Sequence, residues 1–177
     1  VQLIEDLTPI TIAAVDGICT GGGLELTLVC DFVIATDRSR WGMPEIDWDI
    51  TPGWGGTSRL PRFAGRRKAK EWNLIGQLFS GHMAERYDLV NRVVAPEQLG
   101  PEVEALTEVM LRKHPMTVRR TKFIMTKGVE LPLTGALAFE VPIMPYARHS
   151  SGLKDFKSAD ARVERRKLSK HFWSDLS

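Results

Sequence analysis

Short apolar runs alternate with glycine-rich turns over the first half of the chain. Residues 9–15 are apolar and rich in β-branched side chains, and they end at Asp16-Gly17, a turn signal. Three glycines at 21–23 lead into helix-forming residues, and a second apolar run follows at 31–35. A strand, a short helix and a strand within about 25 residues make a βαβ unit, which predicts an α/β fold with a mostly parallel sheet.

The next segments are predicted to be a short strand, a loop and a helix. Residues 41–45 are predicted as a short strand that enters a loop, because the proline there fixes its own φ angle and breaks a helix. Residues 51–57 form a second glycine-rich loop. Residues 59–75 are predicted to be helical, with interruptions near Pro61 and Gly65.

The pattern changes from strands to helices near residue 95. Residues 89–94 form the last predicted strand. Three later segments place apolar residues at helical spacing: 102–113, 116–127 and 132–148. The sequence therefore predicts an α/β layer over residues 1–95 and a helical region over residues 96–177.

The composition is that of an ordinary globular protein. Hydrophobic residues make up 43% of the 177 and charged residues 26%, which argues against disorder over most of the length. The net charge of +2 is too small to indicate nucleic-acid binding. No run of about 18 apolar residues occurs, so no membrane span is predicted. The two cysteines, Cys19 and Cys30, lack metal-ligand spacing, which predicts no metal site and a reducing compartment.

The glycine triplet Gly21, Gly22 and Gly23 needs a local reason, because glycine loses more conformational entropy on folding than any other residue. Backbone N–H groups at a helix N-terminus have no partner inside the helix and lie at its positive end, so they suit an anion or a developing oxyanion. A plain tight turn explains the glycines equally well. A dinucleotide site is disfavoured, since the G-x-G-x-x-G spacing is absent.

Two glutamates favour a catalytic interpretation of this segment. Glu25 lies in the first turn of the predicted helix, and Glu45 follows twenty residues later in a loop. Each has a plainer interpretation, since helix dipoles favour acidic residues in the first turn and loops often carry exposed glutamates. Two carboxylates that a βαβ unit brings to one site can perform general acid–base chemistry on water.

Several blocks of the sequence resemble the enoyl-CoA hydratase/isomerase (crotonase) family, in the family's order and spacing and over nearly the whole chain. The blocks are Pro9–Gly17, Gly21–Glu25 with Cys30-Asp31, Trp41–Glu45, Pro52–Leu60, Leu89–Val94 and, more weakly, Gly152–Phe156. The resemblance implies part of the crotonase ββα spiral in residues 1–95. It implies a helical trimerisation region in residues 96–177.

The resemblance also implies roles for individual residues. Gly22 matches the glycine whose backbone N–H is one donor of the family's oxyanion hole. Glu25 and Glu45 match the glutamates that hold the catalytic water, Glu25 mainly as base and Glu45 as proton donor to the α-carbon. Because both are kept, the expected activity is that of a lyase that adds water across the α,β double bond of an enoyl-CoA thioester. An isomerase, or another acyl-CoA enzyme of the crotonase type, is the alternative.

The residues expected to contact substrate lie mainly in the two glycine-rich loops: Gly21, Gly23, Pro52, Gly53 and Trp54. Trp54 stands where many relatives have a small residue. Together with Trp48 it is expected to line an acyl pocket, since aromatic rings suit apolar ligands. Ordinary core packing is the simpler alternative for both tryptophans, because large aromatic side chains are usually buried.

The resemblance further implies the partners. An acyl-CoA thioester is the expected substrate, with coenzyme A as part of it and no separate cofactor. Arg165, Arg166 or Lys167 are candidates to approach the CoA phosphates, although these basic residues are interpreted first as a solvated helix face. We expect a homotrimer or homohexamer in the cytoplasm, or in the mitochondrial matrix of a eukaryote.

Family members are longer at the N-terminus, where they carry the first strands of the spiral and the other oxyanion-hole donor. This chain begins without methionine, close to a buried apolar run, which fits a fragment or a processed chain. We therefore expect the 177 residues alone to hydrate enoyl-CoA poorly. The non-catalytic alternative is a truncated relative that acts as an interaction subunit or binds RNA.

Overall fold

The computed structural model describes residues 1–143. It divides into a first compact unit, Val1–Val103, and a second that begins at Glu104. The boundary expected from the sequence lies eight residues earlier, at 95, because it was placed where the strand pattern stops. The first unit also includes a short helical turn and the start of the next helix. The Gly152–Phe156 block and the basic residues 165–167 lie outside the described residues.

Helices and short strands alternate along the first unit, and helices alone follow in the second. In chain order they are α1 (Gln2–Glu5), β1 (Ile12–Val15), β2 (Ile18–Thr20), α2 (Gly22–Thr27), β3 (Phe32–Thr36), β4 (Arg40–Gly42), a 3₁₀ helix (Pro44–Trp48), α3 (Gly56–Ala64), α4 (Arg66–Ile75), β5 (Phe79–Ser80), α5 (Gly81–Arg86), β6 (Arg92–Val94), a second 3₁₀ helix (Pro96–Gln98), α6 (Leu99–Leu111), α7 (Pro115–Gly128) and α8 (Leu133–Glu140).

Two small sheets form the strand layer of the first unit. One has the order β1-β3-β6, and both of its pairings are parallel. The other has the order β2-β4-β5, with β2 and β4 parallel and β4 and β5 antiparallel. The predicted βαβ unit is confirmed as β1, α2 and β3. Strands β2 and β5 were not predicted, because runs of three and two residues are too short to show strand periodicity.

Polar side chains at the strand ends hold the parallel sheet in register. Asp31 accepts hydrogen bonds from the Thr11 N–H at 2.7 Å and the Thr11 hydroxyl at 2.8 Å, which joins the starts of β1 and β3. Asn91 accepts from the Val33 N–H at 2.7 Å and returns its own N–H to the Val33 carbonyl at 2.9 Å. These pairs satisfy backbone groups of Thr11 and Val33 that the strand pairings leave open.

The core of the first unit lies directly under α2. Four side chains of α2, β4, α3 and the residue after β4 have no exposed surface and belong to one buried cluster: Leu24, Trp41, Leu60 and Met43. The indole N–H of Trp41 donates to the Ser39 hydroxyl at 2.9 Å, which satisfies its single polar atom. The residues next to Leu24 and Met43 therefore have little freedom to move.

Two prolines behave differently from the sequence prediction. Pro44 begins the first 3₁₀ helix instead of preventing one, because a proline at the first helical position loses no hydrogen bond. Pro61 lies inside α3 without interrupting it, since the fully buried Leu60 holds that turn against the core. The break falls at Gly65 alone, whose φ of 78° ends α3 and begins α4.

The predicted helices of the second region are present with shifted ends. Helix α6 begins at Leu99, three residues before the prediction, and α7 begins at Pro115, one residue before the predicted segment. Helix α8 ends at Glu140, so the prediction of a continuous helix from 132 to 148 is wrong. Pro142 accounts for the early end, because a proline cannot continue a helix. Within residues 1–143, no helix combines the length and the apolar character that a bilayer span requires.

Candidate active site

The N-terminus of α2 is shaped by a glycine that no other residue could replace without strain. Gly21, the N-cap, has φ 52° and ψ −124°, a conformation that side chains rarely adopt. Its N–H donates to the Gly42 carbonyl at 3.0 Å, which ties the helix start to the end of β4. A Cβ built on Gly21 would lie 2.7 Å from Oε1 of Glu45. The backbone of Gly21 thus has a conformation that favours glycine and lies close to the Glu45 carboxylate.

Glu25 is buried in the first turn of α2, and the second glycine-rich loop holds its carboxylate. Its Oε1 accepts the backbone N–H of Trp54 at 2.9 Å and that of Gly56 at 2.7 Å. Both hydrogen bonds that the carboxylate accepts within residues 1–143 therefore use the same oxygen. Two charge-assisted bonds compensate for the burial of the carboxylate and fix its orientation, while Oε2 accepts no hydrogen bond from the described residues.

Glu45 is the second residue of the first 3₁₀ helix, and its side chain is also buried. One oxygen, Oε1, lies against the α-carbon of Gly21. The other, Oε2, is enclosed and has no hydrogen-bond partner among the described residues. A buried polar atom without a partner costs stability, so this oxygen needs an explanation.

The two glutamates therefore meet the same end of α2. Glu45 lies against the N-cap, and Glu25 follows in the first turn. Gly22 stands between them as the first residue of α2, where its N–H has no partner inside the helix. Gly23 faces away from them: a Cβ there would lie 3.9 Å from the buried Sγ of Cys19, an ordinary contact with the core.

The tryptophans and the second loop lie at the surface of the first unit. Trp54 is 55% exposed and Trp48 is 75% exposed, so the core-packing interpretation of these two residues is wrong. The Trp54 ring covers Gly22, since a Cβ built there would lie 3.0 Å from its Cζ3. Pro52 is half-buried, and a Cβ on the exposed Gly53 would meet nothing within 4 Å. Trp48, Gly53 and Trp54 are thus the exposed members of the residues expected to contact substrate.

Sequence reasoning missed the residues that hold the second loop. Arg59, in α3, donates to the Trp54 carbonyl at 3.3 Å and pairs with Glu5 of α1 at 2.9 Å. The available signal was Arg59 itself, which lies in the Pro52–Leu60 block about one helical turn after Gly55 and Gly56. Its acidic partner is 54 residues away along the chain, so no local pattern identifies the pair.

The remaining candidate groups do not add a nucleophile or a metal centre to this site. Burial raises the pKa of the Cys19 thiol to about 12, so the thiol stays neutral and is inert, as a small buried hydrophobic residue is. Cys30 is a free thiol that donates weakly to the Leu26 carbonyl. Within the described part of the chain, no three His, Cys, Asp or Glu side chains are grouped to hold a metal ion.

Two solved structures share this fold. An enoyl-CoA hydratase from Bacillus anthracis aligns with a TM-score of 0.84 at 36% identity, covering 88% of this chain and 62% of the other. An enoyl-CoA hydratase from Mycobacterium smegmatis aligns with a TM-score of 0.83 at 29% identity, covering 93% of this chain and 63% of the other. The fold class is therefore the crotonase-like α/β fold that the sequence predicted.

The sequence comparison agrees with the structures. Residues 1–172 match the profile of the enoyl-CoA hydratase/isomerase family, and the chain belongs to that family. A crotonyl-CoA hydratase from Syntrophomonas wolfei is 40% identical over 139 residues, which are 78% of this chain and 54% of the relative. A short-chain-enoyl-CoA hydratase from Clostridioides difficile is 40% identical over 131 residues, 74% of this chain and 84% of the relative. The chain spans about half the length of the first of these relatives.

Proposed function

We propose that the protein to which this chain belongs is an enoyl-CoA hydratase. The main support is that two buried carboxylates at one end of α2 differ in their hydrogen bonding. Glu25 is held by two amides on a single oxygen, and Glu45 keeps a buried oxygen without a partner among the described residues. Groups in such different surroundings suit different proton-transfer roles on one substrate. The names of the relatives, crotonyl-CoA hydratase and short-chain-enoyl-CoA hydratase, support the same activity.

In the proposed mechanism, Glu25 acts as the base toward water. Because Oε1 is occupied by amides, Oε2 is the oxygen that takes the proton while the water oxygen bonds to the β-carbon. Glu45 delivers a proton to the α-carbon from its unpartnered oxygen. The proton that Glu25 gains then restores Glu45 before the next turnover, so the net reaction consumes one water.

The thioester oxygen gains negative charge as the water adds. We propose that the N–H of Gly22 stabilises this charge, and the support is that a first-turn N–H has no partner inside the helix and lies at the positive end of its dipole. Loss of one such donor typically raises the barrier by about 3–4 kcal/mol. The family resemblance assigns the second donor to a segment that precedes Val1 in longer relatives.

The substrate-binding part of the proposal concerns the open side of the site. We propose that the Trp54 and Trp48 rings line the acyl pocket and that Gly21, Gly23, Pro52 and Gly53 shape its entrance. Coenzyme A enters as part of the substrate, and no separate cofactor is required. A homotrimer or homohexamer, in the cytoplasm or the mitochondrial matrix, completes the proposal, supported by membership of the family.

Hydration of crotonyl-CoA tests the proposal. The 177-residue chain should give a low but measurable rate, which is followed by the loss of the conjugated enoyl absorbance. Glu25→Gln and Glu45→Gln should each lower the rate by about 100-fold or more, because each removes one proton-transfer group. Glu97→Gln, an exposed glutamate of the second 3₁₀ helix, is the matched control and should leave the rate unchanged.

The pattern of the two variants also separates the hydratase from its closest rival. An isomerase can depend largely on one carboxylate, so a rate that falls in one variant and survives in the other would favour that chemistry. A chain that binds butyryl-CoA in a calorimeter but hydrates nothing would refute the hydratase assignment for this polypeptide.

A further inference from the structure

The Arg59 side chain joins two segments of the first unit that are far apart in sequence. Its Nε and one terminal nitrogen donate to the two carboxylate oxygens of Glu5, at 3.4 and 2.9 Å. The same terminal nitrogen donates to Oε1 of Gln2 at 3.0 Å. The other terminal nitrogen donates to the Trp54 carbonyl at 3.3 Å. All the donor groups of this mostly buried guanidinium thus face α1 or the loop before α3.

The loop itself lies between this cation and the buried carboxylate of Glu25. The Trp54 peptide offers its carbonyl to Arg59 and its N–H to Glu25, and the N–H of Gly56 also reaches Glu25. The guanidinium packs on the α-carbon of Gly55, which has φ 109° and leaves no room for a Cβ. The Arg59 guanidinium therefore holds this loop from one side and the Glu25 carboxylate from the other, although its glycines would otherwise leave it flexible.

We propose that Arg59 is a positioning residue for Glu25. Anchored on Glu5, it fixes the Trp54 and Gly56 amides so that both converge on Oε1, and this leaves Oε2 aimed at the site. Arg59 acts through the loop and does not contact the carboxylate that it orients. The effect on loop order stands on the contacts alone, whereas the effect on turnover rests on the proposed hydratase function.

Amide hydrogen exchange on the intact chain, read by NMR, tests the structural part. In Arg59→Lys the charge beside Glu5 is kept, but one ammonium cannot form the two-nitrogen fork and reach the Trp54 carbonyl together. We expect the Trp54 and Gly56 amides to exchange about tenfold faster or more, with the amides of β3 unchanged. Arg67→Lys is the control, since this exposed arginine of α4 has no contact with the loop.

Glu5→Gln provides a second variant in case Arg59→Lys alters the fold. It keeps the Arg59 guanidinium and weakens only its anchor, so it should speed the same two amides by a smaller factor. Exchange at Trp54 and Gly56 that equals the wild type in both variants would overturn the proposal. Faster exchange throughout the first unit would also overturn it, because that result means a general loss of stability.

Kinetics with crotonyl-CoA test the consequence for catalysis. We expect kcat of Arg59→Lys to fall by about 10- to 100-fold with KM within a few-fold of the wild type, because a displaced base slows the proton transfer more than it weakens binding. An unchanged kcat beside faster loop exchange would overturn the catalytic role of Arg59. A wild-type chain without hydration would instead refute the hydratase assignment for this polypeptide, and hydrogen exchange alone would then decide the role of Arg59.

Discussion

The two glycine-rich loops of the first unit serve the two glutamates in different ways. At Gly21 the missing side chain matters, since it lets the Glu45 carboxylate lie against the backbone. In the second loop the backbone N–H groups matter, since those of Trp54 and Gly56 hold Glu25. The first loop accommodates a carboxylate sterically, and the second binds one through hydrogen bonds. Similar runs of glycine therefore do not imply similar chemistry.

The steric role of the first loop predicts the largest effect. Gly21→Ala should lower the hydration rate by about 100-fold or more. The new Cβ would lie 2.7 Å from Oε1 of Glu45, which is too close, so the carboxylate would have to move. The positive φ of 52° should also destabilise the protein by about 1–3 kcal/mol. Initial rates with crotonyl-CoA and urea unfolding measure the two effects.

Gly65→Ala separates backbone strain from the contact with Glu45. Gly65 also has a positive φ, 78°, but a Cβ there would meet nothing within 4 Å. This control should lose stability and keep its hydration rate. Equal loss of rate in the two variants would mean that strain, and not displacement of Glu45, accounts for the Gly21→Ala effect.

The hydrogen-bonding role of the second loop predicts the next effect. Gly56→Ala would place a Cβ 2.6 Å from Cε of Met43 and 3.0 Å from Oε1 of Glu25. The loop must move, so the amide bonds to Glu25 weaken and kcat should fall by about 10- to 100-fold. Gly100→Ala, in the first turn of α6, has open space for its Cβ and should keep kcat. If both variants kept wild-type kcat, the loop would not control Glu25.

Trp54 connects the two loops, because its N–H holds Glu25 while its ring covers Gly22. Trp54→Ala keeps the backbone bond and removes the ring. We expect the ratio of kcat/KM values for octenoyl-CoA and crotonyl-CoA to change by about tenfold, since a few apolar contacts give discrimination of this size. A chain-length profile identical to the wild type would remove Trp54 from the proposed acyl pocket.

The smallest expected effect concerns stability and a third carboxylate, Asp16, which lies outside the site. Hydrogen bonds from Arg38 and Thr36 lower its pKa to about 2. A carboxylate of lowered pKa stabilises the fold above its unfolded value of about 3.9 and loses that contribution as the pH falls toward the folded value. Asp16→Asn should therefore flatten the dependence of the unfolding midpoint on pH between about 4 and 2. An unchanged slope would contradict the Arg38 pairing.

Local patterns predicted the parts of the fold that depend on near neighbours in sequence. The apolar runs around β1 and β3 and the glycines at the start of α2 were recognisable, because each reports a local backbone preference. The prediction that Pro61 would interrupt α3 failed, because packing of the adjacent Leu60 overrides local propensity there.

The candidate site was predictable in its residues and not in its arrangement. Glu25 and Glu45 were identified by residue type, spacing and family resemblance. Trp54 and Trp48 are exposed, although large aromatic side chains are usually buried. That tendency is an average over many proteins and does not determine the exposure of a single residue. It says nothing about which side chain lies beside an open site.

The sequence alone determined the family, the βαβ core and the pair of acidic side chains, because these depend on the order and chemical type of residues along the chain. Only the tertiary structure decided that the amides of a loop 31 residues beyond Glu25 hold one of its oxygens. It also decided that Arg59 and Glu5, 54 residues apart, hold that loop. Such contacts depend on how distant segments pack in three dimensions, and no periodicity in the sequence records that packing.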